Sequence, residues 1–195
     1  MSRMRNDEAV IGEWIKGGEA FVFYREPGER VCHGIRAARS SLQSFEVFPS
    51  LDGKTGFVFA PFRFGEGHPL WLLPLEEEIE VGISRAVCSD EVEAPAPMPF
   101  CGRLEDQPSK GYREAFRAFS GALRAGDFQK LVLSRGCTDA FPHGFSWARA
   151  FTAACRRYVH SYVYLFHTPQ TGFWLGATPE ILLAGGKGEY RTVAL

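Results

Sequence analysis

Two ionisable residues, Lys130 and Glu180, are distinctive because each lies among apolar neighbours. Lys130 belongs to the stretch Gly-Asp-Phe-Gln-Lys-Leu-Val-Leu-Ser-Arg at residues 126–135, whose alternating pattern predicts a buried strand. Glu180 follows Thr178 and Pro179 at the start of another apolar run. Because an amine and a carboxylate are costly to bury, we expect both groups to be used. The chemistry this suggests is acid-base catalysis, with lysine accepting a proton and glutamic acid donating one.

In the predicted strand, Lys130 shares one face with Phe128 and Val132. Burial beside apolar groups favours the neutral amine, which is the form that acts as a base. The alternative is a lysine on an edge strand, with its aliphatic stem over apolar neighbours and its charge in water.

The position of Glu180 is restricted by Pro179. Proline fixes its own φ and favours an extended conformation at Thr178, so the carboxylate enters the following strand at a fixed place. That placement suits a proton donor. The alternative is an ordinary solvated glutamate at the beginning of a strand.

Composition restricts the class of protein. The chain has 195 residues, of which 45% are hydrophobic and 23% charged, as expected of a globular domain with a core. Its net charge of -1 and scattered basic residues argue against a nucleic-acid partner, and no apolar run is long enough to span a membrane. Five widely spaced cysteines favour reduced thiols, and the five histidines lack metal-ligand spacing. These features predict a soluble cytoplasmic protein.

The hydrophobic pattern predicts an α+β fold with large antiparallel β-sheets flanked by helices. Closely spaced strand signals that suggest antiparallel meanders fall at residues 19–24, 44–49, 56–64 and 70–83, and later ones at 161–167, 172–176, 180–184 and 190–195. One predicted helix carries an apolar stripe of Tyr112, Phe116, Phe119 and Leu123 and ends at Gly126; a second spans residues 146–158, with Phe151 and Cys155 facing inward.

We interpret residues 1–195 as one truncated domain with three parts. Residues 1–88 form a β-rich part, the proline-rich residues 89–110 a linker, and residues 111–195 the first part of a core. The sequence is strand-like and apolar up to Leu195, so we expect it to be the front part of a longer protein.

Several motifs together resemble those of the chorismate-utilising enzymes, and within them the isochorismate synthases. They are the helix ending at Gly126, the Lys-Leu-Val-Leu-Ser-Arg strand at 130–135, the Phe-Trp-Leu-Gly-Ala-Thr-Pro-Glu stretch at 173–180 and the closing Thr-Val-Ala-Leu at 192–195. The resemblance covers residues 112–195 well and the first hundred loosely. It implies that residues 111–195 begin a chorismate-binding core.

The resemblance also implies roles for the two ionisable residues. Lys130 matches the lysine that activates a water for attack on C2 of chorismate, and Glu180 matches the glutamate that protonates the departing C4 hydroxyl. Members that use ammonia typically carry glutamine at the lysine position, so Lys130 favours isochorismate or salicylate as the product. A Leu-Leu-Glu-Ser motif for tryptophan is absent. Menaquinone and siderophore pathways, and the oligomeric state, stay open.

The resemblance further implies Mg²⁺ as cofactor and chorismate as small-molecule substrate. The Mg²⁺-binding glutamates and the basic residues for the substrate carboxylates are expected beyond residue 195, so we expect the 195-residue chain to be an inactive fragment of an isochorismate synthase. The alternatives are salicylate synthase, another chorismate-utilising enzyme, and a non-catalytic module of the same fold.

Overall fold

A five-stranded antiparallel sheet is the largest sheet among the described residues. The computed structural model describes residues 7–83, 110–134, 140–186 and 188–193. Within these residues the helices are α1 (Asp7–Gly17), α2 (Lys110–Ala125) and α3 (Trp147–Arg157). The strands are β1 (Ala20–Arg25), β2 (Val31–Ala37), β3 (Gln43–Phe45), β4 (Gly56–Phe59), β5 (Leu70–Pro74), β6 (Glu77–Gly82), β7 (Tyr162–Thr168), β8 (Gly172–Thr178), β9 (Ile181–Gly186) and β10 (Glu189–Val193).

The strands form three sheets, and all neighbouring strands are antiparallel. The largest sheet has the order β6-β2-β1-β7-β8, the second β3-β5-β4, and the third pairs β10 with β9. The predicted α+β class with antiparallel sheets is confirmed. None of the described helices is long and apolar enough to cross a membrane.

The chain divides into two units, Met1–Ala86 with Ser146–Leu195, and Val87–Phe145. In the first unit, β1 pairs with β7, so strands from the two ends of the sequence share one sheet. The predicted linker at 89–110 lies outside the described residues except for Lys110, which begins α2. The three-part division of a single domain therefore stays a prediction.

The largest sheet has a packed face, which we define as the side covered by α1 and α3. Its buried cluster joins Phe21, Phe23, Cys32, Val81, Val163 and Leu165 from the strands to Val10, Ile11, Trp14, Ala148, Phe151 and Cys155 from the helices. The opposite side, the cavity face, carries a smaller buried cluster of Ala20, Val22, Ile35, Ala37 and Leu73. Alternation along β1 places neighbouring residues on opposite faces.

Helix α3 matches its prediction closely. Ser146 caps it by accepting a hydrogen bond from the Arg149 backbone N–H at 3.3 Å, and Phe151 and Cys155 are buried as expected. Helix α1 was not predicted, although Val10, Ile11 and Trp14 have helical spacing and are all buried.

Helix α2 ends as predicted at Gly126, which has a φ of 82°. The backbone N–H of Asp127 donates to the Ala122 carbonyl at 3.0 Å, and that of Gly126 donates to the Leu123 carbonyl at 3.2 Å. This is the C-terminal hydrogen-bond pattern that favours glycine. Among the described residues, the apolar stripe of α2 is not buried, since no residue of this helix is buried.

The structure corrects several strand predictions, because prolines end strands that the apolar pattern would extend. The run predicted at 44–49 is the short β3 followed by a 3-10 helix at Phe48–Leu51 that contains Pro49. The run at 70–83 divides after Pro74 into β5 and β6. Strand β2 was missed altogether.

The strand predicted around Lys130 is also wrong. Residues 128–134 have no regular secondary structure, and Lys130 is exposed. Phe128 and Val132, the expected apolar neighbours, are 54% and 78% exposed. The alternation of side chains predicted a strand with two faces. A strand must also hydrogen-bond to a neighbouring strand, and the alternation does not show whether such a neighbour is present. Arg135 lies outside the described residues.

Candidate functional site

A cavity of about 1030 Å³ opens on the cavity face of the first unit. It lies between the β7–β8 hairpin and the β4–β5 region, and the β9–β10 hairpin contributes to its rim. Its volume is at the upper end of the range typical of small-molecule sites. The cavity is therefore large enough for a single-ring substrate.

Aromatic side chains form most of the walls. Those that line the cavity are Phe57, Phe59, Trp71, Tyr162, Tyr164, Phe166 and Trp174. The rings of Phe166 and Trp174 are nearly parallel, with an angle of 8° between their planes and centroids 6.1 Å apart. The ring centroids of Phe59 and Phe166, which belong to different sheets, are 4.7 Å apart. Such walls suit the faces of a flat or partly flat ring.

The register of β7 and β8 explains how three of these rings come to lie side by side. Tyr162 is opposite Thr178, Tyr164 opposite Gly176, and Phe166 opposite Trp174. A Cβ at Gly176 would come within 2.5 Å of the Tyr164 ring, so glycine allows that ring to lie across β8.

Four acidic or basic residues contribute to the lining, namely Glu26, His68, Glu180 and Arg191. Glu26 and Glu180 carry carboxyl groups, His68 an imidazole and Arg191 a guanidinium. The cavity thus combines apolar walls with a few polar groups, as ligand sites commonly do.

Glu180 lies at the cavity between β8 and β9. Its backbone N–H donates to the Thr178 hydroxyl at 3.2 Å, closing a short turn across Pro179. Both Glu180 and Thr178 belong to the lining, and Glu180 is exposed. The Thr-Pro-Glu stretch therefore holds the carboxylate at the rim, just before β9 begins at Ile181.

Burial raises the pKa of Tyr162, and the neighbouring Tyr24 and the Glu26 carboxylate raise it further. The Tyr24 and Tyr162 rings stack with centroids 5.6 Å apart. The pKa of Tyr24 is also raised, first by burial and then by Glu78. At neutral pH the Tyr162 phenol is therefore a protonated hydrogen-bonding group in the cavity wall.

Lys130 belongs to the second unit, whereas Glu180 and the whole cavity lining belong to the first. That Lys130 and Glu180 face one cavity stays a prediction, as do their catalytic roles. Among the described residues, no group of three or more His, Cys, Asp or Glu side chains could hold a metal ion.

The aromatic wall was not predicted to be part of a site. Residues 56–64 were predicted only to form a strand, yet Phe57 and Phe59 line the cavity, and Phe62 is fully exposed. The available signal was the alternation Tyr162, Tyr164, Phe166, which places three rings on one face of one strand. The roles of His68 and Arg191 in the lining had no sequence signal.

Comparison with known proteins gives one match. Residues 76–195, more than half of the chain, match the family described as chorismate binding enzyme. No curated protein and no solved structure matches the chain. The matched region includes Lys130 and Glu180 as well as β7, β8 and the rim of the cavity.

Proposed function

The chain belongs to the family of chorismate-binding enzymes, and on this basis we propose that it is an isochorismate synthase. The observation that carries the proposal is the family match over residues 76–195, which contains a lysine at position 130 and a glutamate at position 180. The enzyme would convert chorismate to isochorismate by adding water at C2 and losing the C4 hydroxyl.

In the proposed reaction Lys130 acts as the base and Glu180 as the acid. The Lys130 amine takes a proton from water as the water oxygen forms a bond to C2. The ring double bond shifts, and the bond from C4 to its hydroxyl breaks. Glu180 gives its proton to the departing oxygen, which leaves as water, so one water enters and one leaves.

The choice of water over ammonia rests on Lys130. Ammonia-using enzymes with similar motifs typically have glutamine there, which cannot act as a base. Salicylate synthase uses the same hydration and then eliminates pyruvate, so the two activities differ only after the step assigned to Lys130.

The cavity supports the assignment of Glu180. The carboxylate lies at the rim of a space with aromatic walls and a hydrogen-bonding tyrosine, which suits a small ring bearing hydroxyl groups. Arg191 belongs to the same lining and could attract a substrate carboxylate. The role of Lys130 rests on the family membership and on the motif around it.

We also propose that the activity requires Mg²⁺, as the family resemblance implies. The resemblance places the Mg²⁺-binding glutamates beyond residue 195, and no step above uses the metal. The cytoplasmic location stays a prediction from the cysteine pattern.

The proposal is tested by incubating the full-length protein with chorismate and Mg²⁺ and identifying the compound that forms. Isochorismate alone, identified by chromatography and mass, supports isochorismate synthase. Salicylate together with pyruvate identifies the sister activity instead. Chorismate binding without any conversion identifies a non-catalytic module.

Replacing Lys130 tests the base. We expect Lys130→Gln to lower kcat by about 100-fold or more and to leave chorismate affinity largely unchanged, since general-base catalysis contributes about 10²–10⁴-fold. Lys110→Gln is the matched control, because it changes another exposed lysine of the same unit, one that forms a surface ion pair with Glu114 at 3.8 Å. Equal activity of the two variants would remove Lys130 from the mechanism.

Replacing Glu180 tests the acid, and Glu26 supplies the control because its carboxylate lines the same cavity. We expect Glu180→Gln to depress kcat more than chorismate binding, and Glu26→Gln to retain most of the turnover. If Glu26→Gln is the slower enzyme, the acid has been assigned to the wrong carboxylate.

A further inference from the structure

Two cysteines with no role in the proposed reaction meet inside the packed face. Cys32 on β2 and Cys155 on α3 belong to the same buried cluster, although 123 residues separate them in sequence. Both are reduced, and Cys155 is only 3% exposed. A hydrogen bond from Cys32 lowers the pKa of the Cys155 thiol, which indicates that the two side chains are in contact within this cluster.

A buried arginine lies beside this pair. The register that pairs Tyr24 with His33 places Arg25 and Cys32 at the next facing positions of β1 and β2. Arg25 is 1% exposed. Among the described residues its guanidinium has carbonyl partners but no carboxylate partner within ion-pair distance, so its positive charge is not neutralised there by an acid.

The hydrogen bonds of Arg25 hold it at the end of the cysteine-bearing helix. Nη1 donates to the carbonyls of Glu26 and Val159, and Nη2 donates to those of Tyr158 and Ser161, at 2.6–3.1 Å. Nε is buried and has no hydrogen-bond partner among the described residues. The cation is therefore fixed near the C-terminus of α3, where Cys155 lies in the last turn.

This environment favours a thiolate at Cys155. The hydrogen bond from Cys32 lowers the pKa of the Cys155 thiol, burial opposes that effect, and the positive charges of Arg25 and Arg156 lower it further. Reactive cysteines commonly lie beside a cation in partly exposed surroundings, whereas buried structural cysteines are inert. Cys155 is only 3% exposed, but it has the neighbouring cation and the lowered pKa of a reactive thiol.

We propose that Cys32 and Cys155 form a redox-sensitive thiol pair that a hydroperoxide converts to a disulfide. The Cys155 thiolate attacks the peroxide, a sulfur–oxygen bond forms and the O–O bond breaks. The leaving alkoxide, or hydroxide from hydrogen peroxide, takes up the proton that was released when the thiolate formed, and it departs as an alcohol or as water. Cys32 then attacks the sulfenic acid, the S–S bond forms, and the hydroxyl leaves with the Cys32 proton as water. The thiols lose two electrons and the peroxide gains them.

The disulfide would join β2 to α3 across the core of the first unit. It would add no charge and would require the removal of two hydrogens from two side chains of one buried cluster. The cavity lies on the opposite face of the same sheet, so the thiol pair is separate from the site proposed above and does not depend on the proposed function.

The direct test is peptide mapping of the folded protein after treatment with hydrogen peroxide. Free thiols are blocked, the protein is digested without reductant, and peptides are identified by mass spectrometry. We expect a linked pair of peptides containing Cys32 and Cys155, absent before treatment and lost on reduction. The same mapping is done on a variant with Cys88, Cys101 and Cys137 changed to serine, which leaves only the two cysteines of interest.

The order of the chemistry is tested in the variant Cys32→Ser. With no partner, oxidised Cys155 should persist as a sulfenic acid and react with dimedone, whereas Cys155→Ser should show no such label at Cys32. Native circular dichroism is recorded for each variant. Should the triple serine variant fail to fold, the linked peptide in the unmodified protein still decides the question.

Arg25 is tested through the rate of dimedone labelling in the Cys32→Ser background. Arg25→Gln removes the charge, which raises the pKa of Cys155 and lowers its thiolate fraction, while the remaining thiolate becomes more nucleophilic by a smaller factor. We therefore expect labelling to slow by about threefold, and less in Arg25→Lys, which keeps the charge. Failure of the folded protein to form the Cys32–Cys155 link, or a link that forms only in denaturant, would overturn the proposal.

Discussion

The two faces of the five-stranded sheet use the same strands for different purposes. On the packed face, Phe23 and its neighbours are enclosed by α1 and α3. On the cavity face, Tyr162, Tyr164 and Trp174 are only partly enclosed and border a space of about 1030 Å³. One residue step along a strand therefore separates a side chain that stabilises the fold from one available to a ligand.

This contrast predicts unequal costs for removing an aromatic ring from each face. Phe23 is fully buried and lies 4.7 Å from the Trp14 ring, whereas Trp174 is 54% exposed. We expect Phe23→Ala to lower the free energy of unfolding by about 3–5 kcal/mol through lost burial and a new cavity. Trp174→Ala should lower it by about 1 kcal/mol or less.

Urea unfolding followed by circular dichroism measures both variants. Binding of chorismate gives the converse comparison, since Trp174 lines the cavity and Phe23 does not. Equal loss of stability in the two variants would show that the two faces do not differ in packing as described.

Two glycines offer a finer comparison, because each lies against an aromatic ring on one of the faces. An added Cβ at Gly34 would lie 2.7 Å from the Phe23 ring and 2.9 Å from Ile79, both on the packed face. An added Cβ at Gly176 would lie 2.5 Å from the end of the Tyr164 ring, which borders the cavity. The first ring is enclosed, and the second has space into which it can move.

We expect Gly34→Ala to cost about 1–3 kcal/mol, as overpacking of a core does. Gly176→Ala should cost about 1 kcal/mol or less, because the Tyr164 ring can swing into the cavity, and it should weaken chorismate binding instead. Thermal unfolding and a binding titration separate the two effects. A larger loss of stability for Gly176→Ala would mean that Tyr164 is held as firmly as the core.

The smallest expected effect depends on pH and on Tyr162. The folded state raises the pKa of this phenol, so it favours the protonated form, and its contribution to stability is complete below the unfolded pKa of 10.0. As pH rises above 10, the unfolded chain loses this proton more readily, and stability falls by less than about 1.4 kcal/mol per pH unit because the ring borders an open cavity.

Tyr162→Phe should therefore show a shallower loss of stability than the unmodified protein between about pH 10 and pH 11.5, measured by urea unfolding at each pH. Tyr190→Phe is the control, because Tyr190 is 72% exposed. If the Tyr162 and Tyr190 variants lose stability along the same curve, burial of Tyr162 does not affect its ionisation.

Local signals predicted much of the fold. The stop at Gly126 and the inward face of α3 follow from a glycine that tolerates positive φ and from apolar residues at helical spacing. The α+β class followed from the mixture of these helices with alternating strands. Such features depend on residues within a few positions of one another.

The remaining features of the fold and the site depend on contacts between residues far apart in the sequence, and the spacing of residue types does not identify such contacts. Alternation at Phe128, Lys130 and Val132 predicted a strand, but the described residues there are exposed and irregular. Glu180 was expected to begin a strand, and β9 begins one residue later at Ile181. The aromatic residues Phe57 and Phe59, which line the same cavity, come from a second sheet. The burial of Arg25 could not be predicted from the sequence. Its hydrogen-bond partners are backbone carbonyls, which every residue type has.

The pairing of β1 with β7 has a consequence for synthesis on the ribosome. Arg25 donates to the carbonyl of Val159, 134 residues later, and β1 is hydrogen-bonded on that side by β7. At about 5–20 residues per second, roughly 7–27 s separate the emergence of these two segments. During that interval one edge of the apolar β1 has no β7 partner, so its free backbone groups can pair with other chains.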